Sequence, residues 1–158
     1  MSDAVTIRPA SIDDASALGA TIVAAFEQYR GKLTPESGAL RETAETILAE
    51  LNNGAGAMVA QRDRAILGCL MMKVTEGDLY FGRLSVLPAA RGCGVARRLI
   101  DAVEADARRR GFAGVRLGVR IALPENRMLF ASMGYAEIGR DAHPGFDHPT
   151  MLHMRKPL

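Results

Sequence analysis

Arg91, Gly92, Cys93 and Gly94 stand directly before a run in which Val95, Leu99 and Val103 recur at i, i+4 and i+8. That spacing sets three apolar side chains on one helical face, and Gly111 closes the pattern. A helix starting here offers backbone N–H groups without internal acceptors at the positive end of its dipole. Glycines at 92 and 94 remove Cβ atoms that would hold an oxyanion away, and permit the positive φ values by which consecutive amides form a cup. Arg91 adds a cation at the rim. The chemistry these residues suit is phosphate binding. The G-x-G-x-x-G dinucleotide fingerprint is not met, because Arg97 occupies the third glycine position and no acidic residue is suitably placed at the end of the next strand. A G-K-S/T loop is absent as well.

The segment "DAHPGFDHPTMLHMRK" (141–156) holds all three histidines, His143, His148 and His153, together with Asp147. Two of the histidines precede prolines and methionines flank the third, so no metal site is expected. The two cysteines, Cys69 and Cys93, form neither a disulfide framework nor a zinc spacing, and Cys69 in its apolar run reads as a small buried hydrophobe.

The elements that must carry these residues follow from local pattern. "AVTIRPA" (4–10) alternates as a strand, and Ser11 with Asp14 caps a first helix through about Arg30. Thr34 as cap, Pro35 at the first helical position and Gly54 past the end predict a second helix. Residues 55–88 break at "QRDR" and "TEGD" into three antiparallel strands. After the glycine segment and its helix, residues 112–123 read as a strand and 124–134 as a short helix. Two last strands enclose the loop "AHPGFDHP". The order is β-α-α-β-β-β-α-β-α-β-β, a mixed α/β fold with a βαβ unit at its centre.

At 158 residues the chain suits one domain spanning 1–158. Its start is acidic where a secretory leader would be basic and then apolar, and "AILGCLMM" is too short to cross a bilayer, so a cytoplasmic protein without membrane contact is expected. Charge is uneven: 7 Lys and Arg against 11 Asp and Glu in residues 1–82, but 13 against 7 in residues 83–158. A basic half containing the glycine segment fits an anionic ligand. Nucleic acid is not expected, since the few aromatics do not alternate with the arginines.

"RLSVLPAARGCGVARRLIDAVEADARRRGFAGVRL" resembles the acyl-CoA-binding core of the Gcn5-related N-acetyltransferases (GNAT family), whose loop reads Q/R-x-x-G-x-G/A after a strand ending V-x-P. "ENRMLFASMGYAEIGR" resembles that family's closing segment, and the element order agrees along the chain. The resemblance implies a mixed, mostly antiparallel sheet flanked by helices, with a splay between its two central strands. It implies acetyl-CoA as co-substrate and direct attack of a primary amine on the thioester, without an acyl-enzyme. The backbone of Leu84, Ser85 and Val86 would hold the pantetheine arm, with Val86 N–H as oxyanion donor. The amides of Arg91, Gly92, Cys93, Gly94, Val95 and Ala96 would hold the pyrophosphate, and Asn126 would reach the arm.

Two positions depart from the pattern. Where many members carry a glutamate base this chain has Gly82, leaving Asp78 as the candidate base. Where the family has its tyrosine acid this chain has Phe130, leaving Tyr135, Ser132 or water as proton donor. The resembling fold sets Glu27, Tyr29 and Arg30, and from the last loop His143, Asp147 and Thr150, at the acceptor. The preferred acceptor is a small-molecule amine. A protein N-terminus and a non-catalytic acyl-CoA sensor are the alternatives, and a homodimer would accord with the family's habits.

Overall fold

The computed structural model describes residues 4–158; the readings of the acidic start and of a 1–158 domain lie outside the described residues at their first three positions. Seven strands form a sheet in the order β1-β2-β3-β4-β5-β7-β6. They are β1 (Thr6–Pro9), β2 (Gly56–Arg62), β3 (Ala65–Thr75), β4 (Asp78–Val86), β5 (Gly114–Arg120), β6 (Ala136–Asp141) and β7 (Met151–Pro157). Every pairing is antiparallel except that of β4 with β5. A parallel pair needs a crossover, and α3 (Val95–Arg109) supplies it.

Strand alternation divides the core between the two faces of the sheet. On one face Leu70, Met72, Leu79, Phe81 and Leu117 pack with Val95, Leu99 and Val103 of α3 and Phe130 of α4 (Pro124–Ser132). On the other, Val59, Cys69 and Met71 meet Leu18 and Ile22 of α1 (Ala15–Phe26) and Ile47 of α2 (Ala44–Asn52). The three α3 residues predicted to share a face are all buried. Each contributes roughly 1.5–3 kcal/mol of burial, which fixes the helix on the sheet and its N-terminus beside β4. Cys69 is fully buried, and burial raises its thiol to about 12, so it behaves as the small hydrophobe expected.

The second helix starts nine residues later than its sequence signals suggested. Ser37 accepts from Ala39 N–H at 3.2 Å and opens a short 3-10 turn, Gly38–Arg41. Thr43 then caps α2, exchanging hydrogen bonds with Thr46 at 2.9 and 3.2 Å. The Thr34-Pro35 signal yields to this pair because the apolar repeat that packs on α1 begins only at Ile47. At the chain start, Asp14 accepts from Ser11 N–H at 2.8 Å, as its spacing predicted, and is also gripped by Arg8 at 2.9 Å from two nitrogens.

Candidate active site

Gly92 and Gly94 both lie at φ +77°, the left-handed region that glycine enters without steric penalty. Gly94 caps α3. Arg98 N–H is the first amide of the helix bonded back, at 3.1 Å to Gly94 O, and among the described residues no protein group accepts from the amides of Gly92 through Arg97. Six consecutive donors at the positive end of a fifteen-residue helix therefore face outward. All of these residues but Cys93 rim a hollow of about 190 Å³ with Val86, Arg91 and Leu129. Arg91 does more than lend charge: its guanidinium donates to Val86 O and Ala25 O, each at 3.2 Å, bracing the loop between the ends of β4 and α1.

β4 and β5 pair only over Leu79–Phe81 with Val115–Leu117. Beyond Phe81 they part, and β4 carries an extra residue opposite β3 between Gly82 and Ser85. Arg83 lies in this bulge at φ +54°, a strained conformation for a side chain of its size, and Glu42 holds its guanidinium at 3.1 Å. Leu87 N–H bonds to Leu67 O at 2.8 Å. By antiparallel alternation Ser85 therefore faces β3, while Val86 turns its N–H toward the gap left by β5.

Two hollows meet across that gap. One, of about 300 Å³, runs on from the amide cradle between β4, β5, α1 and α4, and includes Tyr29, Leu84, Val86, Asn126 and Phe130. Asn126 Nδ2 donates to the Tyr29 hydroxyl at 3.3 Å across it. The other, of about 360 Å³, lies over the opposite sheet face and includes Lys73, Tyr80 and His143. Gly82, Arg83, Gly118 and Arg120 border both. A linear ligand anchored by phosphates in the cradle would reach through the first hollow and present its far end to the second.

The family model described as Acetyltransferase (GNAT) family matches residues 22–135, from α1 through α4. The chain belongs to this family. A protein named IAA acetyltransferase from Azospirillum brasilense is 33% identical over 103 residues, covering 64% of this chain and 67% of that protein. Among solved structures, the PaiA N-acetyltransferase from Thermoplasma acidophilum in complex with coenzyme A superposes with a TM-score of 0.80 at 18% identity, over 98% of this chain and 99% of that one. A GNAT-family acetyltransferase from Staphylococcus aureus Mu50 gives 0.75 at 17% identity, over 98% and 99%. These likenesses establish the fold expected from sequence, and acetyl-CoA is the co-substrate of GNAT acetyltransferases. The outward amides of residues 92–97 are the kind of donor set its pyrophosphate requires.

Several residues singled out for this GNAT chain lie elsewhere than the sequence suggested. Asp78 is 2% exposed and borders neither hollow. Arg155 grips it at 2.7 and 3.0 Å, Arg116 donates to it as well, and the pair holds its carboxyl down to about 2. A carboxylate so stabilised does not take a proton from an amine near neutrality, so Asp78 is an ion-pair residue rather than the base. Tyr135 is buried against Phe81 and Phe130 and donates to Glu104 at 2.9 Å. Burial and the Glu104 charge push its phenol well above the usual range, and it lies outside both hollows, so it is no proton donor to the leaving thiolate. Ser132 donates to Leu129 O at 2.6 Å and accepts from Arg97 on the surface.

Glu27 and Arg30 pair with each other at 2.6 Å in solvent, and Asp147 pairs with His148 at 2.9 Å, also in solvent. Glu27, Arg30 and Asp147 border neither hollow. Tyr29 borders the first hollow and not the second. Of the last-loop residues, His143 borders the second hollow, and Thr150 stands behind it, accepting from His143 N–H at 2.9 Å and contacting Nδ1. Sequence reasoning passed over Lys73, Tyr80 and Arg120. Their signal was alternation, since Tyr80 shares a strand face with Gly82, and Arg120 with Gly118.

Proposed function

We propose that this chain transfers the acetyl group of acetyl-CoA directly to the primary amine of a small molecule. The observation that carries the reading is the cradle of unpaired amides at residues 92–97, continuous with the gap where β4 and β5 part. In this reading Leu84 and Val86 offer main-chain groups to the pantetheine arm, Asn126 lies alongside it, and Ser85 serves only the sheet. The thioester carbonyl sits at Val86 N–H, whose hydrogen bond strengthens as charge develops on that oxygen. An acceptor hollow of about 360 Å³ lies within the range of small-ligand sites, which favours a small molecule over a protein terminus. An unpaired, exposed Cys93 accords with a cytoplasmic setting.

An alkylammonium, with pKa ~10.4, must lose a proton before it can attack. With Gly82 and Asp78 unable to take it, the role falls to His143. Burial and the nearby Arg120 charge lower the His143 pKa from its usual value, which favours the neutral ring. In the tautomer that donates Nδ1–H to the Thr150 hydroxyl, which the reading requires, Nε2 carries the free lone pair, and it has no partner among the described residues. The leaving thiolate, with a thiol pKa near ~8.5, departs without an obligatory acid, consistent with Phe130 in the usual tyrosine position.

Calorimetric titration with acetyl-CoA, followed by a free-thiol assay with a panel of primary amines, tests the reading. Binding with amine-dependent thiol release is the expected result. Binding without release from any amine would favour a coenzyme sensor, and no binding would remove the assignment of the cradle.

A further inference from the structure

The acceptor hollow is lined by Lys73, Arg83, Arg120 and His143 against a single carboxylate, that of Glu50 at its edge. Arg83 is answered by Glu42. The other two full cations are not. Arg120, half-buried, donates to Pro35 O, and among the described residues no carboxylate lies within ion-pair distance of it. Glu36 compensates its charge only through space, and burial lowers the Arg120 pKa. Lys73 likewise forms no ion pair among the described residues; its ammonium lies over the Tyr80 ring, 5.2 Å from the centroid.

A half-buried guanidinium without a carboxylate is an arrangement that a ligand oxyanion completes, because its planar donors match a carboxylate edge to edge. The coenzyme does not supply that anion. Its phosphates belong, on the reading above, to the cradle at residues 92–97, at the other end of the first hollow. Arg120 borders both hollows, at the gap where donor and acceptor meet. We infer that the acceptor is an amine bearing a carboxylate close to its amino group, an amino-acid-like compound whose carboxylate is held by Arg120 and drawn in by Lys73. A polyamine or other purely cationic acceptor would meet like charge from both residues. The inference rests on the transferase reading and narrows it to a substrate class.

The test is thiol release from acetyl-CoA with matched acceptors: a set of α- and β-amino acids, their carboxamides, and the amines that remain when the carboxylate is removed. The expected result is a kcat/KM at least tenfold higher for the acids. In Arg120→Met that preference should collapse through a raised acceptor KM, while the calorimetric affinity for acetyl-CoA stays within about twofold. Lys73→Met, at an exposed position, should lower the same preference severalfold and reduce its dependence on salt. This second variant serves if loss of the Arg120 bond to Pro35 O loosens the fold, which a thermal melt would reveal. Amides or simple amines acetylated as well as the acids would overturn the inference and leave the transferase reading standing. Coenzyme binding without release from any of the three sets would overturn both.

Discussion

Replacing Asp78 by Asn separates the two roles this residue could have. The side chain is buried, and its carboxyl is held at about 2 by Arg155 and Arg116, against ~3.9 for a free aspartate. At ~1.36 kcal/mol per unit, the carboxylate contributes about 2–3 kcal/mol to folding. Because the folded pKa is depressed, that contribution is complete above ~3.9 and is lost as pH falls toward about 2. Asn keeps the shape and removes the charge, leaving Arg116 with Glu76 at 3.4 Å and Arg155 with no carboxylate among the described residues. At ~2–4 °C per kcal/mol for a chain of this size, Asp78→Asn should melt about 5–10 °C lower at pH 7, with the gap to wild type closing toward pH 2. Circular-dichroism melts at pH 7, 5 and 3 would measure this, alongside the pH profile of thiol release. A variant with unchanged melting temperature and a lost basic group in its profile would refute the ion-pair account and restore Asp78 as the base.

Gly94→Val should bind acetyl-CoA at least tenfold more weakly by calorimetry. A β-branched residue resists φ +77°, and each charge-assisted hydrogen bond lost when the loop relaxes is worth ~1.5–3 kcal/mol; unchanged affinity would detach the glycine from the cradle. His143→Gln should lower kcat by about 10²-fold and abolish a limb of the pH profile lying below the ordinary imidazole value of ~6.5, above which the wild-type ring is free to accept a proton. Retention of that limb would assign it to another group. Tyr135→Phe should destabilise the fold by about 1–3 kcal/mol in urea titration, because Glu104 loses a buried donor and keeps only Lys156 at 2.9 Å. Its effect on turnover should be small, and a large loss at unchanged stability would return the hydroxyl to the reaction.

What could be read from the sequence was whatever neighbouring residues decide. The cradle was legible because its glycines, its amides and the stripe of Val95, Leu99 and Val103 lie within thirteen residues, and the β2-β3-β4 meander because its turns announce themselves. Asp78 was not legible. Its partners, Arg116 and Arg155, arrive on β5 and β7, and nothing near "TEGD" tells that those strands bring two guanidinium groups to it. Tyr135 failed for the same reason: Glu104 on α3 captures its hydroxyl from thirty-one positions away. The acceptor hollow was the least visible part, since Lys73, Tyr80, Arg120 and His143 come from three strands and a loop. The start of α2 was a local misreading, a contest between two capping signals that packing at Ile47 decided.

The two ends of the site differ in what they are made of. The cradle is main chain over six consecutive positions, so apart from its two glycines it is nearly indifferent to which side chains it carries. The acceptor hollow is side chain, drawn from separate stretches of the chain that share only the rims of β4 and β5 with the donor end. On the proposed reading, a single substitution at Lys73 or Arg120 would therefore exchange one acceptor for another while the grip on the donor stays as it was. Descendants of such a chain can change the compound they modify without relearning how to hold the group they transfer.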